Sequence, residues 1–280
     1  MATKKMAAST RKPAKKPVST AKKTTTKVTT VKASAPAASP ARSARFKFSR
    51  APLLAASVAE FIGTFLLAAV VVAASGQPLF VLFAVLAAVL VVGGISGAHL
   101  NPALTIGALA TRRITLVRAV CYVVAQVLGA LMALVVLSGF VNAAPEVSEQ
   151  AQAFGQAAPS LFSAPEIADG KEWTVLAAEL LGTVILAFGV ASAMRLGRAG
   201  DLHHAFGYGA ALYVALLLAG TAANYVGASA ILNPAFAGSL QALSFDLWPI
   251  LVYVVTPLVG GVLGFALSDL LKSESENVAV

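Results

Sequence analysis

Three scarcities frame the 280-residue chain: one cysteine, three histidines, and charged side chains at only 12%. Cys121 stands alone in an apolar run, which excludes an internal disulfide and a cysteine-based metal site and leaves the compartment open. The low charge, with 58% hydrophobic residues and a mean hydropathy of +0.81, excludes a soluble domain of this size. No Ser/His/acid set, phosphate loop or ligand cluster stands out, so neither an enzyme nor a cofactor or metal is expected. Acidic residues are absent from one region altogether. Residues 1–50 hold fourteen Lys or Arg and no Asp or Glu, so the net charge of +9 divides into a basic tail and a body with seven basic and twelve acidic residues.

Lys, Ala, Thr, Ser and Pro build residues 1–50, which offer too little apolar surface to offset the entropy of ordering. The tail is therefore expected to be disordered. Its first expected partner is the anionic headgroup layer beside the first span, at about 1 kcal/mol per basic residue near the surface. A targeting role comes second, because the acid-free, Ser/Thr-rich start resembles an organelle transit peptide. Nucleic acid comes last, although runs such as RKPAKK attract phosphate. No apolar core follows the basic start, so a cleavable signal peptide is not expected.

Beyond the tail, six apolar stretches reach the roughly 20 residues needed to cross a bilayer. They cover about 52–75, 78–96, 115–138, 173–195, 204–224 and 247–270. Residues 51–271 thus form one membrane domain, with a short C-terminal tail at 272–280. Two apolar pieces are too short to cross, 101–111 and 233–243, each about three helical turns and each opening on Asn-Pro-Ala.

The membrane domain repeats itself. Glu60 in AEFIGTFLLA recurs as Glu179 in AELLGTVILA, 119 residues on, and Asn101-Pro102-Ala103 recurs as Asn233-Pro234-Ala235, 132 residues on. Repeat 1 spans about 52–138 and repeat 2 about 173–270. Each has three spans, an odd number, so the two enter the membrane with opposite orientation. Arg112, Arg113, Arg118, Arg195, Arg198 and Lys272 follow even-numbered crossings, whereas the 139–172 connection carries Glu146, Glu149, Glu166 and Asp169 with Lys171. The positive-inside rule then places both termini in the cytoplasm, and the short helices dip in from opposite sides.

Asn is a strong helix N-cap and Pro is favoured at the first helical position, so both Asn-Pro pairs mark helix starts. If the two starts face each other at the bilayer midplane, their positive dipole ends and two Asn amides suit a neutral hydrogen-bonding molecule and repel cations.

Together, the paired boxes, the AEFIGT and AELLGT openings, ISGAHLNPALTIG and the TPLVGG of 256–261 resemble the aquaporins, the major intrinsic proteins, over residues 52–270. The resemblance implies an all-α membrane protein of six transmembrane helices plus two half-helices in an inverted repeat. It also implies one pore per subunit, homotetramers in the cell membrane, and passive flow without a cofactor. In this family four residues, counted from the boxes, line the narrowest point; here they are Val81, Thr221, Ala230 and Phe236. The fourth is usually Arg. Water-selective members have an aromatic first and His second, and glycerol-transporting members carry Arg-Asp where this chain has Phe236-Ala237. A less polar filter is therefore expected, passing glycerol or urea as well as water, with cations excluded mainly by the paired dipoles. A Phe236 ring turned inward would instead close part of that space.

Several residues keep two readings. Glu60 and Glu179 hold the backbone of the half-helix loops, as the family implies, or relay protons. His99 lines the pore or merely fixes its loop. Asn101 and Asn233 line the pore or only cap helices. Gly63, Gly129, Gly182 and Gly260 read as close-packing contacts between helices. The rival to a channel is a structural or adhesive membrane protein of the same fold with low conductance.

Overall fold

The computed structural model of the protein describes residues 50–244 and 246–278. The expectations for the basic tail at 1–49 lie outside them. Among the described residues, six helices are long and apolar enough to span a membrane: α1 (Arg50–Ala73), α2 (Pro78–Ser96), α4 (Leu116–Asn142), α6 (Glu172–Leu196), α7 (Leu202–Asn224), and a sixth that begins at Leu247. Between them lie the short helices α3 (Pro102–Ala110) and α8 (Pro234–Ser239), and a five-residue α5 (Glu149–Ala153) in the long connection. Leu, Val and Phe side chains such as Val58, Phe83, Val120, Leu181, Leu218 and Leu263 are exposed along all six spans. The chain is a multi-pass membrane protein.

The sixth span is not one regular helix. It comprises α9 (Leu247–Ile250), a π-helical turn (Leu251–Val255) and α10 (Thr256–Val278). Pro257 is the cause, since it has no N–H to give the carbonyl of Tyr253. The turn before it widens, and the Thr256 N–H reaches back five residues to the Leu251 carbonyl. The helical backbone of α10 continues through 272–278.

Both short helices end alike. Arg112 (φ 60°) and Gln241 (φ 56°) take left-handed conformations just past α3 and α8, and the next N–H bonds back across the last turn: Arg113 to Ala108, Ala242 to Ala237. That closure is commonly made by Gly. It stops α8 after six residues, shorter than the three turns expected over 233–243, and frees the Leu240 carbonyl to accept the Ala164 N–H at 2.9 Å.

Within each half, α1 packs on α2 and α4, and α6 on α7 and α10. The halves interlock through α2 against α7 and by exchange of short helices: α3 lies on α10 of the second half, α8 on α4 of the first. Small residues allow this closeness, and a Cβ on Gly261 would strike the Ala103 backbone.

Candidate functional site

The two boxes meet start to start. Asn101 caps α3 by accepting the Ala103 N–H on Oδ1 at 2.8 Å, and Asn233 caps α8 by accepting that of Ala235 at 3.1 Å. Each amide also donates across the interface: Asn101 Nδ2 to the Leu232 carbonyl at 2.9 Å, Asn233 Nδ2 to the Leu100 carbonyl at 3.0 Å. An amide nitrogen carries two hydrogens, so this exchange commits one and leaves one. Capping and facing the other half are thus combined in one side chain.

Leu100 and Leu232, which sequence reasoning passed over, tie the site together. Both are fully buried and left-handed, at φ 54° and 57°. This conformation costs a non-glycine residue about 1–2 kcal/mol and persists only where its surroundings impose it. A buried carboxylate imposes it here. Glu60 accepts the N–H of His99 (2.9 Å) and Leu100 (2.7 Å), and Glu179 accepts those of Ile231 and Leu232, the latter at 2.9 Å. Each leucine therefore passes the restraint on, its N–H to the acid of its own half and its carbonyl to the asparagine of the other. Non-helical backbone at membrane depth requires such full pairing.

The repeated Glu-x-x-Gly now has a local reason. Positions three apart share a helix face, so Gly63 and Gly182 lie beside the acids. A Cβ on Gly63 would strike the Leu100 side chain, and one on Gly182 that of Leu232. These two glycines receive loop side chains and also face the next helix, at Val92 of α2 and Ala219 of α7, so their reading as contacts between helices fits as well. For Gly129 and Gly260 that reading fits: a Cβ there would meet α1 at the Phe61 carbonyl and α6 at Thr183 and the Leu180 carbonyl.

Around Glu60 a polar group forms that the second half lacks. Gln126 Nε2 donates to Glu60 (2.8 Å) and to Thr105 Oγ1 (2.9 Å), and Thr105 Oγ1 lies 3.3 Å from His99 Nδ1. The His99 ring is also edge-on to Tyr122, whose hydroxyl donates to the Ser96 carbonyl at 2.6 Å. Tyr253 reaches the Ser229 carbonyl at 3.3 Å in the same way. Sequence reading found none of Gln126, Thr105, Tyr122 and Tyr253, because each acts through contacts more than 20 residues away or inside a loop whose path was unknown.

A cavity of about 370 Å³ opens from the α1–α2 end of the bundle and reaches both asparagines. Val81, Thr221, Ala230 and Phe236, from four separate segments, all border it together with Asn101 and Asn233. Phe236 is 5% exposed, on the first turn of α8. Among the described residues, no acidic or basic one borders this cavity. A second cavity at the opposite end is bordered by His99, His204, Arg113 and Arg118, so His99 is held by its loop and also faces open space. Arg113 is paired there with Asp269 at 2.6 Å.

Six apolar spans in two interlocked halves, with paired short helices meeting start to start, define a multi-pass membrane protein of the inverted-repeat class. The sequence profile described as Major intrinsic protein matches residues 46–267, and the chain belongs to that family. Aquaporin-1 of Ovis aries is 34% identical over 185 residues, 64% of this chain and 60% of that protein. The probable aquaporin PIP2-5 of Arabidopsis thaliana is 41% identical over 100 residues, 36% of this chain and 31% of that protein. The chain thus matches less than two thirds of these relatives' length. The X-ray structure of the aquaglyceroporin from Plasmodium falciparum shares the fold, with a TM-score of 0.59 at 21% identity over 78% of this chain and 96% of that one.

Proposed function

We propose that the protein is a passive channel for water and small neutral solutes of the glycerol or urea class. One observation carries this reading: an uncharged cavity, bordered by Val81, Thr221, Ala230 and Phe236, leads to the two asparagines at the meeting point of the half-helices. Phe236 stands where the family usually has Arg, so a solute entering meets a ring and small side chains instead of a fixed cation. Small neutral solutes then meet a filter without a fixed charge, where pore width and lining set what passes. At the boxes the remaining Nδ2 hydrogens of Asn101 and Asn233 offer donors, and the two helix starts present positive potential that opposes cations. Membership of the family, whose named members include aquaporins, supports the class of activity.

In this reading the molecule is a homotetramer in the cell membrane, surrounded by lipid. Both termini are cytoplasmic, on the side of Arg112, Arg113, Arg118, Arg195 and Arg198, and the basic tail lies against anionic headgroups. No cofactor or catalytic group takes part.

The test is light scattering from vesicles carrying folded protein. Under a sucrose step they should shrink faster than empty vesicles, and glycerol and urea should enter on a similar timescale. Phe236→Arg should lower solute flux more than water flux, by about tenfold for a barrier increase near 1.4 kcal/mol. Equal rates in loaded and empty vesicles would favour the structural or adhesive alternative. Wild type excluding glycerol and urea as strictly as Phe236→Arg would sink the solute assignment.

A further inference from the structure

The two cavities have no bordering residue in common, and the break between them falls at one place. Along α7 the second cavity ends at His204 and the first begins one turn later at Tyr208; along the loop before α3 the second ends at His99 and the first begins at Asn101. A hydrogen bond crosses this gap. The Tyr208 hydroxyl donates to the His99 carbonyl at 2.8 Å, and the tyrosine is 1% exposed, with its ring 6.4 Å from that of His204.

We propose that Tyr208 forms a second constriction of the channel, on the far side of the boxes from Phe236, and that it limits both the rate and the size of what passes. The inference rests on the channel reading above. A molecule moving from the asparagines toward Arg113 and Arg118 must go between the phenol and the loop at 97–100. The His99 carbonyl is the acceptor that would replace its lost water, and the tyrosine hydroxyl takes one of its two lone pairs. Passage therefore competes with that bond or displaces the ring. The bond is not needed to hold the loop, because the N–H groups of His99 and Leu100 are fixed by Glu60 and the Leu100 carbonyl by Asn233. Tyr208 also offers what Phe236 does not, a buried polar tip facing a carbonyl. The two constrictions thus act differently, Phe236 by lacking charge and Tyr208 by occupying an acceptor.

Tyr208→Phe keeps the ring and releases the carbonyl, and Tyr208→Ala removes the ring and joins the cavities. Tyr208→Leu, which keeps a buried apolar group, replaces the alanine variant if that one does not fold. Water and glycerol permeabilities are measured in vesicles at matched amounts of folded protein, beside wild type and Phe236→Arg. The expected results are a rise in water flux of about twofold to tenfold for Tyr208→Phe, the size of one hydrogen bond on a barrier, and for the ring-deleted variant a larger rise in glycerol than in water. A silent wild type with a conducting ring-deleted variant would also support the constriction. A purely packing role predicts less folded protein and no gain per molecule. Wild type that conducts, with neither variant exceeding it for water or glycerol, overturns the proposal while leaving the channel reading intact. Absence of flux in every variant overturns the channel reading, and this one with it.

Discussion

Glu60 and Glu179 occupy the same place in their repeats, yet Glu60 accepts three hydrogen bonds and Glu179 two. The missing partner can be traced. Gly129 faces the carbonyl of Phe61 and Gly260 that of Leu180, and both residues directly follow their acid, so the two glycines are equivalent. Three residues before them stand Gln126 and Pro257. Counting from the boxes, Thr105 corresponds to Ala237 and His99 to Ile231. The polar trio of the first half is Pro, Ala and Ile in the second. What both halves retain is the carboxylate, the left-handed leucine and the crossing asparagine. Backbone pairing is thus the shared requirement of the fold, and the side chains around it are free to diverge. The exchange of Gln for Pro has a second effect, because the same Pro257 sets the π-helical turn that has no counterpart in α4.

If the comparison is right, the second half is the more easily broken. Glu179→Ala strands the N–H groups of Ile231 and Leu232, with no other acceptor bonded to them. At about 1–3 kcal/mol per stranded group the loss is roughly 2–6 kcal/mol. Glu60→Ala should cost less, because the Gln126 side chain is close enough to turn its own carbonyl toward the vacated donors. Unfolding temperatures of the two variants in one detergent test this, and an equal or larger loss for Glu60→Ala would refute the ranking.

The exchanged short helices differ too. A Cβ on Gly261 would collide with the Ala103 backbone of α3, whereas one on Gly238 of α8 would meet only the end of the Leu131 side chain, at 3.2 Å. Gly261→Ala should therefore destabilise by about 1–3 kcal/mol, as overpacking against backbone does, and Gly238→Ala by less than about 1 kcal/mol. Similar melting shifts for both would show that the seat of α8 is as rigid as that of α3.

The smallest effect separates the starts of α2 and α7. Gln77 makes no side-chain cap for α2, while Asp201 caps α7 with a charge, accepting the N–H of His204 (2.8 Å) and of Arg198 (2.7 Å). Those bonds, His204 first, hold its carboxyl below the ordinary aspartate value of 3.8. A group with a depressed folded value stabilises above its unfolded value and loses that contribution as pH falls through the folded one. The start of α7 should thus loosen only under acid conditions below 3.8, with α2 unaffected. Amide exchange at 202–205 against 79–81 on acidification measures it, and Asp201→Asn should remove the pH dependence.

Much of this was legible in one dimension. The spans lie within a few residues of the apolar runs, since 20 or so apolar residues have no other home than a bilayer. Asn101 and Asn233 start the half-helices where Asn-Pro marks them, because capping is a local interaction. Repetition of Glu60 and Glu179 disclosed the two halves for the same reason: equal local chemistry had been kept twice.

Tertiary structure decided the rest. Nothing local distinguishes Leu100 and Leu232 from other apolar residues, and their left-handed backbone exists only because a carboxylate some 40 or 50 residues earlier and an asparagine in the other half pull on both ends. Tyr208 sits in an apolar run that reads as lipid-facing or core, until α7 brings it against the carbonyl of a residue 109 positions away. Periodicity and capping act over a turn or two of chain and can be read along it. Hydrogen bonds between buried groups depend on which helices pack together, and that is settled only when both halves close on each other.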